Sequence, residues 1–150
     1  MESPSVPQDV LVARAIRALR DAVVACGAAC LGLAVVAAAI LALSGSDPTL
    51  VGPAVSVLGG GQLLAIVGAV VGALGLRGVL AGRPPAQTLT VTSARLHRVQ
   101  LAALVWCVVA VAAWTVVEPA TAVLTLALGV VSAQLTLVVV LVRRRLAQAR

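Results

Sequence analysis

Four stretches of the chain run without a charged residue for long enough to cross a bilayer: residues 22–43, 54–76, 101–117 and 120–142. A membrane-spanning helix needs about 20 mostly apolar residues, within a range of roughly 17–25. The third run is the shortest, about 26 Å as a helix, and Arg98 or Gln100 can extend it by snorkelling. The first has a basic lead-in and an Ala42-Leu43-Ser44 step like that of a secretory signal. A signal core is only about 7–15 residues long, however, and a second run follows at once, so this helix is expected to be retained.

Between the runs lie residues 44–53, 77–100 and 118–119. The first and last connections are too short for anything but antiparallel hairpins. The middle one reads as a long cytoplasmic loop, broken at Gly82-Arg83-Pro84-Pro85, with Thr88, Thr90 and Thr92 alternating with Leu89 and Val91. It is too small for a catalytic domain. Ahead of the first run, residues 1–8 read as a tail. From Asp9, a candidate N-cap, Val10, Leu11, Ala13, Ile16 and Leu19 interleave with Arg14, Arg17 and Arg20, the pattern of an interfacial amphipathic helix. The expected fold is an all-α membrane protein of one domain. It has four transmembrane helices as two antiparallel hairpins, a short interfacial amphipathic helix within 1–21, and a basic tail at 143–150.

Composition strengthens this picture. The 150 residues are 61% hydrophobic and only 11% charged, with a mean hydropathy of +1.13, whereas a soluble domain carries about 25% charge. An ordinary water-soluble globule is excluded. All eleven basic residues are Arg, and Phe and Tyr are missing, which points to codon bias in a GC-rich, Gram-positive bacterium.

Charge then orients the chain. Every Arg falls before the first run, between the second and third, or after the fourth, while the opposite connections carry only Asp47 and Glu118. The positive-inside rule places both termini in the cytoplasm of a bacterial plasma membrane. The net charge of +6 is thus a membrane-surface property. Nucleic acid is not an expected partner, because the Arg are dispersed and no aromatic residue interleaves with them. Arg143, Arg144 and Arg145, directly after the last run, are where anionic headgroups of the cytoplasmic leaflet are expected to bind.

Within the runs the clearest pattern is a heptad seam of small residues: Gly61, Ala65, Gly68, Gly72 and Gly75. Helices in lipid associate through close backbone approach, which such residues permit. A matching seam on the first run comprises Ala25, Ala28, Gly32, Val35, Ala39 and Ala42. The two can close a hairpin on each other, or the second run can serve another subunit. Gly59-Gly60-Gly61 could unwind a turn, the faint trace of a broken transporter helix.

No ionisable residue lies inside a run, so the acid that proton coupling needs is missing. The intramembrane polar residues are chiefly Gln62, Ser132 and Gln134, with Thr125 and Thr136. Counted from the outer ends, Gln134 falls near the level of Gly68, where a missing side chain leaves room for its amide. Cys26, Cys30 and Cys107 are expected to be inert packing groups, with Cys26 and Cys107 at similar depth. The sole histidine, His97, sits at the cytoplasmic surface, and Trp106 and Trp114 fit an aromatic belt. No catalytic, cofactor-binding or metal-ligating set is expected.

The halves also look alike. A shift of 81 matches Arg14, Arg17 and Cys26 to Arg95, Arg98 and Cys107, and a shift of 66 matches Pro53-Ala54 and Arg77 to Pro119-Ala120 and Arg143. A parallel hairpin repeat is one reading; recurrent positive flanking is the other. In size, topology and the Pro119-Ala120 start of the last run, the chain is similar to the small four-helix membrane protein associated with ATP synthase assembly. That likeness is one of layout and carries no motif.

The expected function is that of a non-enzymatic accessory, scaffold or assembly subunit, with a membrane protein or a second copy as partner. The alternative is a small homo-oligomeric channel or transporter, with Gln62, Ser132 and Gln134 along its path. A membrane enzyme ranks third.

Overall fold

The computed structural model describes residues 8–45 and 47–148. They form four helices: α1 (Gln8–Leu43), α2 (Pro48–Leu80), α3 (Pro85–Val117) and α4 (Ala122–Gln148), with a 3-10 turn at Pro119–Thr121 before the last. No strand occurs among the described residues. All four helices are long and apolar enough to cross a membrane. At 36 residues, α1 is about 54 Å long against a hydrocarbon core of about 30 Å. The helices therefore extend well past the apolar runs.

That extension corrects two expectations. The 77–100 connection is not a loop: α2 continues to Leu80, α3 begins at Pro85, and only residues 81–84 connect them. The physical reason is a stripe that the Thr alternation conceals. Leu89, Thr92, Leu96, Val99, Ala103, Cys107 and Ala110 are all buried, recurring at the three- and four-residue steps of one helix face. Pro85 opens the helix rather than breaking it, because a first-turn proline lacks only an N–H that has no intrahelical partner.

Residues 9–20, likewise, do not form a separate helix. They are the first turns of α1, with Asp9 inside the first turn rather than capping it. Ala15 and Leu19 are fully buried while Arg14, Arg17 and Arg20 stay exposed, so these turns pack on the bundle. Residues 1–7 of the expected tail, and Arg150, lie outside the described residues. Gly59-Gly60-Gly61 is helical throughout.

The turns are built from local chemistry. Asp47 caps α2, its carboxylate accepting from Thr49 N at 3.0 Å and Thr49 Oγ1 at 2.8 Å. At the far end of α2, Gly82 adopts φ +82°. Its N–H reaches Val79 O at 3.0 Å and Arg83 N–H reaches Gly78 O at 3.1 Å, the paired closing bonds of a Schellman motif.

Consecutive helices run antiparallel, as close approaches show: Gly61 lies against Leu33, Gly68 against Cys26 and Gly72 against Val23 across α1–α2. Gly52 against Trp114 and Gly75 against Thr92 give the α2–α3 register. The buried side chains fall into two clusters. One, at the Arg-rich end, contains Leu19, Leu89, Leu96, Val142 and Leu146; the other, toward the Glu118 end, contains Leu33, Val57, Leu58 and Leu128. Helix α2 is the most buried, with 33% of its apolar window inside against 11% for α1. Its glycines let the other three helices approach it.

Candidate functional site

The small-residue seam of α2 faces the chain's own core. A β-carbon at Gly61 would lie 2.8 Å from Ser132 Oγ of α4 and 3.2 Å from Leu33 Cδ1. At Gly68 it would lie 3.2 Å from Cys26 Sγ, and at Gly72 3.0 Å from Val23 Cγ2. At Gly75 it would meet Thr92 Oγ1 at 2.6 Å, and Ala65 is buried between them. This seam receives α1, α3 and α4. The expected partner seam on α1 is not its partner: Ala28, Gly32, Val35, Ala39 and Ala42 are exposed, and nothing approaches within 4 Å of a β-carbon at Gly32. Ala22, Cys26 and Leu33 face inward instead.

The polar residues of the apolar runs part company. Gln62 is half-buried and its Nε2 donates a long 3.5 Å bond to the Cys30 carbonyl of α1. It borders a groove of about 820 Å³ that Ser56, Gly60 and Trp106 also line. Ser132 is buried against Gly61 on the α2–α4 contact. Gln134 is exposed on the outside of the bundle. The place expected for its amide, beside Gly68, is filled by Cys26 and Leu96. These three residues therefore line no common path within one chain.

The repeat relation fares similarly. A shift of 66 would superimpose Gly68 on Gln134, yet the first is buried and the second exposed. Cys26 lies at Gly68, level with Leu96, whereas Cys107 donates to Gly129 O at 3.3 Å. Leu96 and Cys107 are about 16 Å apart along α3, so the two cysteines differ in depth.

At the Arg-rich end the expected headgroup triplet is divided. Arg143 Nη1 donates to Gln100 Oε1 at 2.8 Å and sits 2.9 Å from His97 Nδ1. That places an acceptor nitrogen of His97 toward it. Arg143 Nε is buried without a partner. Arg145 lies 3.8 Å from Asp21 of α1, both groups well exposed, a geometry that contributes little. Arg144 is exposed. Among the described residues, no group of His, Cys, Asp and Glu is placed to hold a metal ion.

Sequence reasoning missed the contact that joins α2 to α3. Trp106 Nε1 donates to the Ser56 carbonyl at 3.2 Å, and Trp114 Nε1 donates to Ser56 Oγ. The Ser56 hydroxyl in turn donates toward Gly52 O at 2.9 Å. The indoles occupy the places that side chains at Gly60 and Gly52 would take. The signal was available: the two Gly and the two Trp share one spacing. These indoles are packing knobs between α2 and α3.

Compared with known proteins, the chain matches no family model, no curated protein and no solved structure.

Proposed function

We propose that this chain is a multi-pass protein of the bacterial cytoplasmic membrane, both termini in the cytoplasm, acting without catalysis as an accessory or scaffold subunit. It would bind its partner through a helix–helix contact in the bilayer. The Arg-rich end supports the orientation, since the positive-inside rule places such an end in the cytoplasm.

The observation that carries the partner reading is the outward stripe of α4. Val123, Leu126, Val130, Gln134, Leu137 and Leu141 are all exposed and recur at three- and four-residue steps, the period of a helix-packing face. Gln134 is, among the described residues of the four apolar runs, the exposed polar side chain. An amide facing lipid lacks hydrogen-bond partners, and a polar group on a neighbouring helix would supply them, at about 0.6–2 kcal/mol. Gln62 reaches Cys30, Ser56 the indoles, and Ser132 is enclosed against Gly61.

The partner is proposed to be a foreign transmembrane helix. A second copy is the other reading, favoured by the amide being both donor and acceptor and so able to pair with itself. Such a homo-oligomer is the arrangement a channel or transporter would require. Native mass spectrometry of the nanodisc-purified chain tests both. A stoichiometric foreign subunit, lost in a folded Gln134→Leu variant, supports the accessory role. A homo-oligomer dissociated by the same substitution transfers support to the channel, and a monomer in both cases refutes either.

A further inference from the structure

The Arg-rich ends of α2 and α3 border a half-open cavity of about 670 Å³ whose lining includes Thr88 and the exposed Arg77, Arg83, Arg95, Leu74 and Val91. No carboxylate lines it. Arg143 has acceptors on α3 and Arg145 has Asp21 nearby, but among the described residues Arg77, Arg83 and Arg95 make no ion pair. Three like charges around one space repel one another until an anion enters.

The backbone holds the arrangement. Arg83 is pinned by its N–H bond to Gly78 O at 3.1 Å, which the positive φ of Gly82 makes possible. The bare Gly78 lets the Arg83 side chain return over α2, its Cδ 3.5 Å from where a β-carbon would be. Thr88 packs at the same point. From Thr88 to Arg95 the cavity follows α3 for about 10 Å, so Arg83 marks its mouth and Arg95 its inner end. Leu74 and Val91 add apolar wall.

We propose that this cavity is a binding site for a phosphate-bearing anion, with Arg77, Arg83 and Arg95 as its cationic ligands. Guanidinium forks match phosphate oxygens in geometry and charge. If the chain spans the bilayer as proposed above, the cavity begins where the apolar run of α2 ends, at the depth of lipid phosphates. Its apolar wall suits the glycerol and first methylenes of an anionic phospholipid. The site is distinct from the Arg143–Arg145 segment, which lies on α4.

The test uses the full chain, wild type, the triple variant Arg77→Gln/Arg83→Gln/Arg95→Gln, and Arg14→Gln/Arg17→Gln/Arg20→Gln, exposed on α1, as a charge-matched control outside the cavity. Each is reconstituted in phosphatidylcholine nanodiscs with and without a minority of phosphatidylglycerol, and retained lipid is read by native mass spectrometry. Inorganic phosphate is titrated separately in zwitterionic detergent. Wild type and the α1 triple control should retain phosphatidylglycerol. The triple variant should bind it about a hundredfold more weakly, three basic residues near the surface contributing about 1 kcal/mol each. Binding of inorganic phosphate alone, lost in the triple variant, supports the same anion site with a soluble source. Equal binding by wild type and triple variant in both arms overturns it. The spanning reading has its own readout, incorporation into the nanodisc, and the detergent arm reports on the cavity even if that fails.

Discussion

Trp106 of α3 lies directly over Gly60 of α2, and a β-carbon at Gly60 would overlap the indole at Nε1. The same nitrogen donates to the Ser56 carbonyl one turn away, so the contact is fixed both by shape and by a hydrogen bond. Gly59, the neighbouring residue, meets nothing within 4 Å. Two adjacent glycines in one helix thus serve different ends.

A pair of single substitutions separates them. Gly60→Ala must push the indole out and should destabilise the fold by about 1–3 kcal/mol, the range for overpacking. Gly59→Ala should change stability by less than about 1 kcal/mol, the scale of helix propensity. Reversible unfolding in mixed detergent measures both. Since Trp106 is one of two tryptophans, Gly60→Ala should also alter the intrinsic emission while Gly59→Ala leaves it unchanged.

The inward seam makes a second prediction. A β-carbon at Gly72 would lie 3.0 Å from Val23 Cγ2 and in ordinary contact, 3.6 Å, with the Val23 backbone N, so the further carbons of a leucine must displace α1 itself. Gly72→Leu should cost more than about 3 kcal/mol, beyond ordinary overpacking, and the folded monomer should be lost. Gly32→Leu on the exposed face of α1 has open space and should leave the monomer intact. A protease-resistance assay on the reconstituted variants distinguishes this outcome from one in which Gly72→Leu remains folded and only loses a partner.

Ser56 links the two indoles, and its removal should be felt unevenly. Ser56→Ala deletes the hydroxyl that accepts from Trp114 but keeps the carbonyl that accepts from Trp106. A double-mutant cycle with Trp114→Phe should give a coupling of about 0.5–1.5 kcal/mol, the usual net worth of such a bond. The cycle with Trp106→Phe should give close to none.

Asp47 supplies a pH signature. The Thr49 hydroxyl, and secondarily the Thr49 N–H, hold its carboxyl below the ordinary carboxylate value. A group whose folded pKa is depressed contributes stability above its unfolded value of about 3.9. That contribution is lost as pH falls through the lower folded value. Thr49→Val removes the hydroxyl and should move the Asp47 titration upward, as seen by carboxyl carbon resonances. An unchanged titration would show that the cap is not populated in solution.

Much of the architecture was legible because lipid solvation imposes a coarse rule. An unbroken apolar run of about 20 residues suits a bilayer span whatever its neighbours do; the first three expected runs lie within α1, α2 and α3, and the fourth begins in the 3-10 turn that leads into α4. The Arg-rich segment 85–100 was misread because Thr and Leu alternate there at period two. The buried set Leu89, Thr92, Leu96 and Val99 shows that the deeper period was helical. Polar placement was less legible still. Gln62, Ser132 and Gln134 look alike as isolated polar residues in apolar runs, and only helix rotation separates an engaged amide from an exposed one.

The amino-acid sequence by itself determined that this is an all-helical chain with four apolar runs and its Arg at the connections of one end. Those properties depend on residue type and spacing along one dimension. Tertiary structure alone decided which way each helix turns: Gly68 inward to Cys26, Gln134 outward, Arg143 across to Gln100. In helices apolar on every side, the hydrophobic pattern specifies no unique face. Rotation is then set by the fit of individual knobs into glycine gaps, such as Trp106 on Gly60, which exists only once the helices meet.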